Sequence, residues 1–147
     1  MKIPSDTEWG DLPKVMDLGC AYRHFFGKTL EEAYQMFADN ALTYQEDLDY
    51  MPKLPFQYYV RAYIHYILSE RTSGDSDAAN CFIGLIETHL RDNPTWIAET
   101  WESVRRALTK ISVQQEEFYD ACPSIYGDFN IRIEKLLLKR TNAIDEF

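Results

Sequence analysis

The sequence predicts an all-α fold, a single-domain bundle of about six helices with short connections. Three observations carry this expectation. Apolar residues recur at three- and four-residue steps along most of the chain, the spacing that lines one face of a helix. No segment alternates apolar and polar residues convincingly at the period of a strand. Prolines, glycines and capping patterns divide the helical stretches, and no punctuating segment is long enough to link two domains.

A first helix starts after Asp11, with Pro13 tolerated in its first turn, and carries Leu12, Val15, Met16, Cys20 and Phe25 or Phe26 until Gly27. The second opens on Thr29-x-x-Glu32, a capping box that satisfies two orphan backbone donors. Its apolar stripe is Leu30, Tyr34, Phe37, Ala41, Tyr44, Leu48 and Met51, ended by Pro52 and Pro55. The third, about 55–69, is apolar almost all round, as a central helix would be. After the loop 72–76, a fourth helix capped by Asp75 or Ser76 presents Ala79, Phe82, Ile83, Ile86 and Leu90. Asn93-Pro94 opens a fifth, with a stripe of Ile97, Trp101, Val104, Leu108, Ile111 and Phe118. The sixth, about 124–140, buries Ile125, Phe129, Ile133, Leu136 and Leu137. At 147 residues the chain reads as one domain, 1–147, with 1–10 and 142–147 expected to fray.

Composition narrows the function classes. Twenty-four acids against fifteen Lys and Arg leave a net charge of −9, which argues against nucleic acid or an anionic membrane surface as partner. No apolar run reaches the ~20 residues of a membrane span, and the N-terminus lacks the features of a signal peptide. Cys20, Cys81 and Cys122 are too widely spaced for a disulfide framework or zinc site, so they read as small buried hydrophobes in a reducing, cytoplasmic setting. Ten tyrosines exceed what a core of this size readily satisfies, which places some at the surface as interface residues.

No motif marks a catalytic centre or a cofactor. His24, His65 and His89 lack the Glu-x-x-His spacing of a di-metal bundle, and no glycine-rich phosphate loop or nucleophile elbow is present. Glu102 with Arg105 and Arg106 forms ordinary helical ion pairs, while Lys135, Lys139 and Arg140 suit the dipole at the end of the last helix.

The most distinctive feature is a charge imbalance. From Thr29 to Pro52 the chain has Glu31, Glu32, Asp39, Glu46, Asp47 and Asp49 but no Lys or Arg. At about 100° per residue, Glu32, Asp39, Thr43, Glu46 and Tyr50 fall together opposite the apolar stripe. Glu32, Asp39, Glu46, Asp47, Asp49 and Tyr50 are therefore the candidate partner-binding residues. Carboxylates steer a basic protein surface and Tyr50 supplies contact area, whereas a plain solvated face accounts for the same residues without function. A small acidic helical module of this kind suits a stoichiometric inhibitor of a basic protein, the class that includes bacterial immunity proteins. Two alternatives stand beside it. Tyr58, Arg61 and His65 share a polar face of the third helix, suited to lining a pocket for an anionic or aromatic ligand, as in a binding domain or enzyme. The stripes of the second and fifth helices are also long enough to join two copies as a homodimer.

Overall fold

The computed structural model describes residues 1–10 and 16–145. Seven α-helices and no strand occur among them: α1 (Met16–Phe25), α2 (Leu30–Asp49), α3 (Lys53–Leu68), α4 (Ser76–Asp92), α5 (Trp101–Val113), α6 (Pro123–Tyr126) and α7 (Phe129–Asp145). The fold is an all-α bundle with short connections. No helix of the described residues is long and apolar enough to cross a membrane. The backbone divides into two compact units, Met1–Tyr66 and Ile67–Phe147, so the last two residues of α3 belong to the second.

In the first unit α1 lies against α2. The expected start of the first helix, with Leu12, Pro13 and Val15, falls outside the described residues. Residues 1–10, expected to fray, are anchored instead. A 3₁₀ turn at Thr7–Trp9 drives Trp9 into the interior, edge-on to Tyr22 at 5.6 Å and 6.3 Å from Tyr59. Tyr22 Oη donates to Asp6 at 2.7 Å and ties the same segment down. α2 begins with the capping box: Thr29 Oγ1 accepts from the Glu32 amide, and Glu32 Oε1 from the Thr29 amide, each at 3.1 Å. It is not one unbroken rod. Asn40 leaves the helical region at φ −160°, ψ 73°, and its Oδ1 accepts the Thr43 amide at 3.2 Å, so Asn40 caps a second helical segment inside α2. The apolar stripe survives this break, because Tyr34, Phe37, Ala41, Leu48 and Met51 are all buried.

Aromatic packing fills the core of this unit. Phe37 stacks on Tyr63 at 4.9 Å and 12°, and Phe25 lies 5.0 Å from Tyr59. Tyr59 also solves a polar problem. The carbonyls at a helix C-terminus have no partner in the ladder, and Tyr59 Oη lies 2.7 Å from the Phe25 carbonyl and 2.8 Å from that of Lys28. Burial pushes the Tyr59 hydroxyl pKa well up, so it stays a donor. α3 begins two residues before Pro55, which sits in its first turn where the missing N–H costs nothing.

In the second unit α7 packs on α4 and on α5. Asp75 caps α4 by accepting the Ala78 amide at 3.1 Å. The expected fifth helix divides. Pro94–Ile97 forms a 3₁₀ turn that Asn93 does not cap with its side chain, and α5 proper starts at Trp101 and stops at Val113, short of Phe118. The expected sixth helix divides as well. Gly127 takes φ +79°, a left-handed conformation in which glycine is the unstrained residue, and it separates the single turn of α6 from α7. Ile125, expected in the core, is therefore 76% exposed on that turn, while Phe129, Ile133 and Leu136 are buried. Because α7 continues to Asp145, Lys135 and Lys139 lie outside its last turn and do not serve its dipole, a correction to the expectation from sequence. Arg140 instead lies over the Trp101 ring at 4.5 Å.

Two ties hold this unit together. Tyr119 Oη donates to the Ile67 carbonyl at 2.7 Å, a second buried tyrosine serving a helix end. Arg132 of α7 crosses the face of α4, its Nε 3.1 Å from both Glu87 oxygens and its Nη1 2.9 Å from Asn80 Oδ1. Between those two α4 partners lies Gly84, where a Cβ would meet only Arg132 Nη2 at an ordinary 3.6 Å.

Six of the ten tyrosines (Tyr34, Tyr58, Tyr59, Tyr63, Tyr66 and Tyr119) are buried, and of the remaining four only Tyr50 is more exposed than half-buried. The tyrosine surplus thus serves the interior more than the surface, contrary to expectation. Tyr59→Phe and Tyr119→Phe are expected to lower the unfolding free energy by about 1–3 kcal/mol each in urea denaturation, since each removes the hydroxyl that bonds to a backbone carbonyl in the interior. Gly84→Ala is expected to raise it by about 0.5–1 kcal/mol in the same measurement, because helical glycine carries excess unfolded-state entropy.

Candidate functional site

The structure gives the acidic face a definite form. Glu32, Asp39, Thr43, Glu46, Asp49 and Tyr50 are all exposed. The break at Asn40 splits them, with Glu32 and Asp39 before it and the other four after it. Glu32 is also half committed: the Thr29 amide and hydroxyl hold its carboxyl below the ordinary glutamate range. Tyr50 is the C-cap of α2, its amide bonded to the carbonyls of Asp47 and Leu48, so its ring stands at the end of the ridge.

Asp47 is placed differently from the other five candidate partner-binding residues. It is buried at 6% exposure, with Oδ2 2.6 Å from His24 Nδ1 on α1, and the His24 ring meets Tyr44 edge-on at 5.2 Å. This pair joins α1 to α2 rather than facing water. Burial outweighs the histidine hydrogen bond and raises the Asp47 pKa above the ordinary aspartate range.

One residue of the exposed face went unnoticed in the sequence. Leu42 is 52% exposed and lies four residues before Glu46 in the segment after the Asn40 break, so it shares the face of Glu46. Its offset from the apolar stripe was the available signal. Leu54, at the start of α3, is exposed as well. The face therefore combines carboxylates with large apolar side chains.

The three residues of the alternative site are not gathered into one wall. Tyr58 is buried and carries the Arg61 guanidinium 5.8 Å from its ring centroid, the cation–aromatic pair their spacing suggests. His65 turns elsewhere, stacking on Tyr34 at 4.3 Å and 20°. Most of the two long stripes is buried within the chain: Tyr34, Phe37, Ala41, Leu48 and Met51 of the first, and Ile97, Val104, Leu108 and Ile111 of the second.

Cys20, Cys81 and Cys122 form no disulfide, and none is buried, which corrects the expectation of small core hydrophobes. Cys122 is exposed because it precedes the single turn of α6, outside the core. Hydrogen bonding to Ser124, whose Oγ lies 2.9 Å from Sγ, holds its thiol below the ordinary cysteine range. Among the described residues no group of three His, Cys, Asp or Glu side chains converges to hold a metal ion. Glu87 is taken by Arg132, and His89 is buried with Nδ1 3.0 Å from the Leu85 carbonyl.

The chain matches no protein-family model, no curated protein and no solved structure.

The Asp47 environment has a measurable consequence. Its pKa is raised on folding, so the folded chain binds the proton more tightly and the associated stability is complete below the ordinary value of about 3.9. That stability is lost as the pH rises through the raised folded value. Urea midpoints of wild type and Asp47→Asn, compared across the acidic range, should show wild type losing ground with rising pH and a constant difference thereafter.

Proposed function

We propose that this chain works by binding another protein through the exposed face of α2, and that the partner presents a basic surface. The supporting observation is the pairing of an acidic face with exposed apolar side chains. Leu42 and Tyr50 are 52% and 51% exposed beside Glu46 and Asp49, and no Lys or Arg occurs between Thr29 and Pro52. Carboxylates on such a face accelerate and orient the encounter, while the leucine and tyrosine provide the desolvated contact that holds it. Large apolar groups beside the carboxylates add contact area that solubility alone does not call for. Its finer form is a stoichiometric inhibitor, such as an immunity protein held against a basic toxin. The cytoplasm suits this role, since three unbridged cysteines fit a reducing compartment.

Affinity capture with immobilised wild type, Glu46→Lys and Tyr50→Ala tests the reading, with captured proteins identified by mass spectrometry and binding followed in real time. Wild type should retain a protein with a basic surface. Tyr50→Ala should weaken that complex about tenfold or more, chiefly through faster dissociation. Glu46→Lys should slow association, and the wild-type association rate should itself fall as salt rises. Both substitutions sit on the surface and should leave unfolding within about 0.5 kcal/mol of wild type. Equal retention of the same partner by all three proteins would remove the α2 face from the mechanism.

A further inference from the structure

α4 and α7 leave between them a cleft of about 690 Å³. Arg91 of α4 and Arg132, Lys135 and Lys139 of α7 line it, together with apolar Leu90 and Leu136. Four of the fifteen Lys and Arg residues of a chain with net charge −9 thus meet in one concavity. The single carboxylate of the lining, Glu87, is bound to Arg132. Arg91 reaches out to Asp92, with Nε 2.9 Å from Oδ1, in an exposed pair of adjacent residues. Neither Lys135 nor Lys139 is held in an ion pair among the described residues. They stand four residues apart on one helix, a like-charged spacing that costs stability unless an anion lies between them.

Gly84 supplies a second observation. It lies within α4, where glycine weakens a helix, yet neither its φ nor a close neighbour requires it. Gly84 is part of the cleft wall, and the missing side chain keeps that wall open. The volume falls within the roughly 300–1,000 Å³ typical of small-molecule sites, and apolar walls with a few charged groups are their usual lining. Arg132, already fixed by Glu87 and Asn80, brings a guanidinium held in place before any ligand arrives.

We propose that the α4–α7 cleft binds a small organic anion, its carboxylate or phosphate head set among Lys135, Lys139 and Arg91 and its compact apolar body against Leu90 and Leu136. The site shares no residue with the α2 face proposed to bind protein, and the proposal does not depend on it.

Titration of ¹⁵N-labelled protein with phenylphosphonate, phenylacetate and neutral benzyl alcohol tests the assignment. At least one anion should shift the Gly84 and Leu136 amides saturably, and benzyl alcohol should shift them far less at equal concentration. The stronger of the two anions identifies the head group. Lys135→Gln/Lys139→Gln, both at exposed positions, should weaken that anion about tenfold or more with an otherwise wild-type spectrum. Gly84→Met, which fills the cleft from the α4 side, should abolish the saturable shifts. The proposal fails if neither anion shifts these amides at about 10 mM, the weak end of specific binding. It fails equally if benzyl alcohol matches the anions, or if the double lysine variant binds them as wild type does.

Discussion

Helix ends that finish inside a protein leave carbonyls that water cannot reach, and this chain meets that constraint with tyrosine. Tyr59 serves the Phe25 and Lys28 carbonyls after α1, and Tyr119 serves the Ile67 carbonyl near the end of α3. A phenol suits the task because its ring contributes buried apolar area while its hydroxyl reaches a backbone acceptor. Both residues are fully buried and bonded to backbone far away in sequence. The same ring that fills the core therefore fixes where a helix stops, and packing and polar satisfaction are met by one side chain.

Local chemistry made most of the helices legible. The Thr29–Glu32 box and the Asp75 cap are short-range patterns with one physical meaning, and both are present. The α4 stripe is buried where its periodicity placed it, and so is the α2 stripe except for the half-buried Leu30 and Tyr44. What escaped depended on single residues acting against a favourable pattern. Gly127 breaks a stretch whose apolar spacing runs straight through it, and Asn40 interrupts a stripe whose register is preserved on both sides. Trp9 lies in a ten-residue segment with no periodicity, and its burial comes from distant Tyr22 and Tyr59.

The same contrast separates the two candidate sites. The acidic face of α2 is contiguous in sequence, so an absence of cations over one helix exposed it. Asp47 was beyond that reach, because its inward orientation is set by His24 on another helix. The basic cleft joins Arg91 of α4 to Arg132, Lys135 and Lys139 of α7, separated by more than forty residues of chain. Read along the sequence, its lysines resemble the ordinary cations of a helix terminus. Only the continuation of α7 to Asp145 removes that explanation.

The Asn40 interruption also changes how α2 persists. Each half of this 20-residue helix has its own cap and falls short of the roughly 12–15 residues an isolated helix needs in water. Neither half can borrow cooperativity through a continuous hydrogen-bond ladder, so each endures through the side chains it buries. α2 is therefore two thermodynamic segments in series, and a local opening that starts in one has no ladder along which to spread into the other.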